Sequence, residues 1–157
     1  NYSREVSQLA NVTPALKTAL NQVVANEHLG FGSLIVAQKP GDGSAREQAA
    51  SCQKVLGGWA NIATSYATKR YKSNLVNWGL LPFKVSQIEN FETGDWLLIQ
   101  GISETIKSRR HECEGQLFAE DGRFKGTISL ELDSLGETEG KVLLAGSLIN
   151  FYQTEST

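Results

Sequence analysis

Near the end of its first third the chain reads Gly41-Asp42-Gly43-Ser44-Ala45-Arg46-Glu47, a run that sets a hydroxyl, a guanidinium and two carboxylates around a pair of glycines. Two chemistries suit this order. Ser44 and Glu47 stand in the S-x-x-E relation of a capping box, worth about 1 kcal/mol to a helix beginning there, with the glycines allowing a tight turn. Arg46 is out of place in that scheme, because it falls in the first helical turn. There the helix dipole already puts partial positive charge, and a cation costs about 0.3–1 kcal/mol. An anion offsets that cost. Asp42 or Glu47 is one source of it. A substrate carboxylate or phosphate, held by free backbone N–H groups, the guanidinium and the Ser44 hydroxyl, is the other.

Several familiar chemistries lack their residues. No lysine follows the second glycine, as a phosphate-binding P-loop requires, and Glu47 stands where a dinucleotide fingerprint needs its third glycine. Ser44 is not in a G-x-S-x-G elbow, so triad hydrolysis is unsupported. Cys52 and Cys113, with His28 and His111 as the only histidines, form no metal-ligand spacing, so no metal-binding residue is assigned. Two thiols in a chain of 157 residues are expected to be free cysteines of a reducing compartment, which predicts a cytoplasmic protein. The Asn1 and Asn11 triplets match the glycosylation pattern and are read as unmodified.

The 15 Lys+Arg against 17 Asp+Glu give a net charge of -2 and no field for drawing in nucleic acid or an anionic membrane. Lys107-Ser108-Arg109-Arg110-His111 is the one basic cluster; it reads as a solvated loop between strands, and RNA is not the expected partner. No apolar run approaches the roughly 20 residues that span a bilayer. The length and the 40% hydrophobic content predict one domain over residues 1–157 with one core. The sequence has no Met and begins at Asn1, from which a piece of something longer is expected.

The elements that must position the loop follow from periodicity. Thr13-Pro14 opens a helix with Leu16, Leu20, Val23 and Val24 on one face, closing at Gly30. Ser33 to Ala37 reads as a strand buried on both faces, and Ala45, Ala49, Cys52 and Leu56 as the apolar face of a helix ending at Gly57-Gly58. On that face Cys52 is expected to be buried and inert. Trp59 to Ala63 is a second strand, and Ala67, Tyr71, Leu75 and Trp78 mark a second helix ending at Gly79. This βαβα centre predicts parallel strands, whose ligands collect where strands end and helices begin. Beyond Pro82, strands are expected over Asp95–Gln100, Glu112–Ala119 and Arg123–Leu132, the last two joined by a two-residue hairpin at Asp121-Gly122. That half is antiparallel or mixed. Val142, Ala145 and Ile149 suggest a short final helix, and Trp59, Trp78 and Trp96 are expected in the core or against helices.

Gly41 to Ala50 resembles the G-x-G-S-S-R-E-H-A motif of the swivel domain of the aconitase family. Leu56-Gly57-Gly58 through Ser65-Tyr66-Ala67 looks like that family's next strand and helix start. Ser73-Asn74-Leu75-Val76-Asn77-Trp78-Gly79-Leu80-Leu81-Pro82 is similar to its S/T-N-L-x-x-x-G-L-L-P segment. Gly94-Asp95 and Gly146-Ser147-Leu148-Ile149-Asn150-Phe151 also have counterparts, so the resemblance covers about residues 30 to 152. The small subunit of isopropylmalate isomerase is similar in the same way.

The resemblance implies a swivelling β/β/α domain of α/β class, with a mixed sheet and flanking helices, that closes the substrate site of a hydro-lyase or isomerase. The substrates would be di- or tricarboxylic acids. A 4Fe-4S cluster would be held by cluster-bearing domains of the same chain or of a large subunit, so this chain alone would be inactive. Carried onto this sequence, Ser44 is the alkoxide-forming base and Arg46 binds a substrate carboxylate, with Gly43 and Ala45 beside them in the substrate site. Ala45 replaces the second serine of the family's pair and Gln48 its histidine. Those departures suit the alternative reading, a non-catalytic anion-binding or regulatory module of the same fold.

Overall fold

The computed structural model describes residues 30–132 and 135–155. The helix expected after Thr13 lies outside them. In chain order the elements are β1 (Ser33–Ala37), α1 (Arg46–Val55), β2 (Gly58–Ala63), α2 (Lys69–Asn77), β3 (Leu81–Lys84) and β4 (Trp96–Ile99). There follow α3 (Ile102–Lys107), β5 (Glu112–Phe118), β6 (Phe124–Leu132), α4 (Glu137–Ala145) and α5 (Leu148–Glu155). The strands form one mixed sheet in the order β1-β2-β3-β6-β5-β4, with β1, β2 and β3 parallel, β6 antiparallel to β3 and β5 antiparallel to β4. This is the parallel βαβα centre and antiparallel C-terminal half that the sequence predicts.

The chain divides into two compact units, the smaller holding residues 91–100 and 114–128 and the larger residues 32–90, 101–113 and 129 onward. In the smaller unit the β4–β5 ladder runs from Trp96 opposite Phe118 to Ile99 opposite Gly115. Lys125 Nζ bonds Asp95 Oδ2 at 2.7 Å and Glu92 Oε2 at 3.0 Å, tying β6 to the turn before β4. Ala119 N donates to Arg123 O at 2.8 Å, and Gly122 takes φ +83°. The β5–β6 turn therefore encloses three residues, Glu120 to Gly122, and the expected two-residue hairpin is corrected. A glycine in the left-handed region is the usual close of such a three-residue loop.

The larger unit carries the site. Its interior is built from Ile62, Ala63, Leu75, Leu80, Phe83 and Leu130, all at 0% exposure, where each large apolar side chain contributes about 1.5–3 kcal/mol. Ala50, Tyr71, Leu75 and Leu80 form one buried cluster, with Tyr66 and Trp78 packed against it. Two expectations fail here. β1 is an edge strand, so Ile35 stays 45% exposed and the strand is not covered on both faces. Helix α1 turns Ala50 and Gln53 inward, leaving Ala49 and Cys52 exposed and Leu56 82% exposed. The small side chains of Ala45, Ala49 and Cys52 give too little burial to choose that face, whereas Gln53 finds hydrogen-bond partners inside. Trp59 is likewise no core residue: it is 47% exposed and sits under Lys54 Nζ, 5.4 Å from the ring centroid.

Three further elements escaped the sequence reading. β3 contains Pro82, which argues against a strand because it cannot donate to a ladder; the strand survives because it pairs with β6 only through Phe83 and Lys84. α3 has six residues, too few to display a helical period. The final helix is in fact two, parted at Gly146, whose φ of +84° ends α4. Gly146 meets Gly79 there: a Cβ on Gly79 would overlap the Gly146 carbonyl, so only glycine permits the approach.

Candidate functional site

The loop from Gln38 to Ala45 leaves the C-terminal end of β1, and the loop from Thr64 to Thr68 leaves the C-terminal end of its parallel neighbour β2. The two are stitched together. Thr64 Oγ1 donates to Gln38 O at 2.7 Å, Ser65 N to the same oxygen at 3.1 Å, and Ala67 N to Pro40 O at 3.0 Å. Gly41 then takes φ +93° and lies directly on Tyr71, where a Cβ would stand 2.6 Å from the Tyr71 Cβ. Both the dihedral and the contact demand glycine.

Tyr71 is itself fixed from below. Its hydroxyl accepts from Asn61 Nδ2 at 3.0 Å, and Asn61 Oδ1 accepts from Gln53 Nε2, which also donates to Ala60 O at 3.2 Å. Tyr66 Oη donates to the carbonyls of Asn61 at 3.2 Å and Phe83 at 3.0 Å. Burial, and secondarily Tyr71, pushes the Tyr66 phenol far above its ordinary value, so it remains a neutral donor. Asn61 is wholly buried, Tyr71 and Gln53 nearly so. Buried polar groups of this kind persist where they are bonded, and here their bonds lead from α1 through β2 to the seat of Gly41. Sequence reasoning missed Gln53, Asn61 and the polar role of Tyr71. The available signal was the single Asn inside the otherwise apolar Trp59–Ala63.

Ser44 and its neighbours occupy the outer side of this frame. Gly43, Ser44 and Ala45 are exposed and Arg46 is half-buried, with open space where a Gly43 side chain would stand. The expected capping box does not form. Ala45, not Ser44, is the N-cap; its carbonyl accepts from Ala49 N at 3.0 Å, and no side chain caps the turn. The helix begins one residue later than the S-x-x-E register needs, so the first-turn N–H groups keep no side-chain partner. Arg46 is the first helical residue, and its Nε donates to Gly41 O at 3.2 Å. Neither Asp42 nor Glu47 pairs with it, and among the described residues no carboxylate lies within ion-pair distance of its guanidinium. A hydroxyl, uncapped amides and an arginine without counter-charge among the described residues thus share one helix start, an arrangement chemically suited to an anion.

No group of three or more His, Cys, Asp or Glu among the described residues could hold a metal ion. Cys52 and Cys113 are both free, and Cys52 is exposed rather than buried as expected, because α1 turns its other face inward. Burial raises the Cys113 thiol, against a smaller opposing pull from Arg110. The basic run Lys107–His111 is the end of α3 and its exit, not a loop between two strands, and Arg109 within it is paired with Glu137 at 2.7 Å. Among the described residues no helix is long and apolar enough to cross a membrane.

A family model described as the aconitase C-terminal domain matches residues 10–88, a stretch that contains Gly41 to Glu47 and Ser73 to Pro82. Among solved structures, 3-isopropylmalate dehydratase from Methanocaldococcus jannaschii is similar, with 28% sequence identity and a TM-score of 0.57. The likeness covers 83% of this chain and 68% of that one. No curated protein matches the sequence.

Proposed function

The chain belongs to the aconitase C-terminal domain family, and from that premise we propose that it closes the substrate site of a hydro-lyase acting on di- or tricarboxylic acids. The observation that carries the reading is the Arg46 guanidinium, tethered through Nε to Gly41 O and without a carboxylate partner among the described residues, beside the exposed Ser44 at an uncapped helix start. Arg46 would bind a substrate carboxylate through its two Nη groups, the fork geometry that suits a planar anion. The backbone at Gly43 and Ala45 would border the same carboxylate. Ser44 would take the proton from the carbon beside it. A serine hydroxyl is a poor base in water, so its alkoxide must be stabilised, and the amides of the first turn together with the Arg46 charge supply that once water is excluded.

The 4Fe-4S cluster that the family resemblance implies does not fit the described residues, which offer no ligand group for it. In this reading the chain would supply the proton acceptor and the carboxylate-binding arginine. The cluster would belong to partner domains, in the same chain or in a large subunit, and residues 1–157 would act as one swivel domain in the cytoplasm. The test is purification of the protein from its source. A cluster-bearing polypeptide or extension with iron-sulfur absorbance, and dehydration of a di- or tricarboxylic hydroxy acid that neither part performs alone, support the reading. The exposed Ala45 and Gln48, where the family resemblance places a hydroxyl and an imidazole, favour one rival, an anion-binding module. Carboxylate binding with no turnover in the complete assembly would establish it instead.

A further inference from the structure

The larger unit holds a cavity of about 220 Å³, which shares no residue with the Gly41–Arg46 loop. Its apolar lining comes from Ile106 at the end of α3, Leu132 at the end of β6 and Leu144 on α4. Its polar lining is basic: Lys107, Arg109, Arg110, His111 and Lys141, against the single carboxylate of Glu137. That carboxylate is already committed on both oxygens, Oε2 to Arg109 at 2.7 Å and Oε1 to Lys141 at 3.0 Å. Among the described residues no carboxylate lies within ion-pair distance of Lys107, Arg110 or His111. Among the described residues the cavity thus has an apolar floor and an excess of positive charge at its rim.

The backbone that presents this rim is itself unusual. Arg109 has φ +52°, the one non-glycine residue with positive φ among those described. Its N–H bonds Ile106 O at 3.1 Å and the Arg110 N–H bonds Thr105 O at 3.0 Å, the closing pair of a helix terminus at which glycine is the preferred residue. An arginine held there is strained, and the Glu137 bond to its guanidinium is what fixes its direction along the cavity edge.

We propose that this cavity binds a small amphipathic anion, a carboxylate with an apolar tail, with the tail against Ile106, Leu132 and Leu144 and the carboxylate between Arg110 and its basic neighbours. Size agrees with that class. A dry cavity of about 150 Å³ already admits benzene, so 220 Å³ accommodates a medium-length alkyl chain. A purely polar anion would leave the floor unused, and an uncharged hydrocarbon would leave the rim unmatched.

Octanoate is a suitable probe, titrated into the full chain by isothermal calorimetry, with 1-octanol as the uncharged control. The account expects saturable binding of one octanoate per chain and at least tenfold weaker binding of octanol. Arg110→Glu, on the exposed rim, should weaken octanoate at least tenfold. A Cβ at Gly140 would stand 3.4 Å from Ile106 Cγ2, so Gly140→Leu should fill the cavity and abolish binding. Arg46→Gln should leave it unchanged. Octanoate and octanol binding equally, or octanoate binding that survives either Arg110→Glu or Gly140→Leu in folded protein, would overturn the proposal. So would no octanoate binding to the unsubstituted chain. Because Arg110→Glu touches only the surface, it decides the matter even if Gly140→Leu fails to fold.

Discussion

Arg46 Nε donates to Gly41 O at 3.2 Å across a chain separation of five residues, closing the loop that carries Ser44 into a ring. The bond uses Nε and leaves both Nη groups without a hydrogen-bond partner among the described residues. Arg46→Lys keeps the charge but has no such division of labour, because an ammonium cannot tether the loop and present a planar fork at once. The complete enzyme bearing it should show KM raised at least tenfold, corresponding to about 1.5–3 kcal/mol for a hydrogen bond to a charged group. Steady-state kinetics check this, and an unchanged KM would remove Arg46 from substrate binding.

Gly41 makes the opposite kind of demand, on space. Gly41→Ala meets Tyr71 and must abandon φ +93°, so a stability loss of about 1–3 kcal/mol is expected. Urea unfolding measures it. The substitution should also lower activity by more than its stability cost explains, since the Arg46 tether ends on this residue's carbonyl.

Much of this frame was legible in the sequence because its punctuation is strong. Gly57-Gly58, Gly79 and the β-branched Ser33–Ala37 gave β1, α1, β2 and α2 to within a few residues. The helix start was placed one residue early, because Ser44 and Glu47 match a capping box that the Ala45 N-cap replaces. What failed were inferences about which side of an element faces in. Cys52 and Leu56 fit a helical stripe as well as Ala50 and Gln53 do, and only the buried partner of Gln53 on β2 decides between them. β3 was hidden by Pro82 and α3 by its shortness. The Asn61–Tyr71 bond joins residues ten apart on different elements, a pairing that no local pattern encodes.

Tyr71→Phe tests that bond separately from the glycine contact, since the ring that seats Gly41 stays. The Asn61 Nδ2 amide loses its acceptor at a site with 0% exposure, so a destabilisation of about 1–3 kcal/mol is expected. It should appear as a lower urea midpoint at unchanged slope. No change in midpoint would mean that the amide has another partner.

The two ion-pair clusters predict opposite pH limits. Lys125 is raised above 10.5, chiefly by its hydrogen bond to Asp95, against opposing burial and with help from Glu92. Its contribution is therefore fully present below 10.5 and lost as pH rises through the higher folded value. Glu137 is lowered from 4.5, first by Lys141 and then by Arg109. Its contribution is present above 4.5 and lost as pH falls through the lower folded value. Melting temperatures of Lys125→Met and Glu137→Gln should converge on the unsubstituted protein at the alkaline and acid ends respectively. A difference that does not change with pH would contradict the pairing.

The exposed Cys52 should be alkylated by iodoacetamide in the folded chain well before Cys113, whose thiol is half-buried and raised by burial. Peptide mass mapping over time distinguishes them, and equal rates would contradict the orientation of α1.

Proton removal by Ser44, as proposed for this loop, is tested most directly by the turnover of Ser44→Ala in the complete, cluster-loaded enzyme. The account predicts a fall in kcat of about 10²–10⁴, the range of a general base, with KM altered little. Turnover equal to that of the unsubstituted enzyme would contradict it.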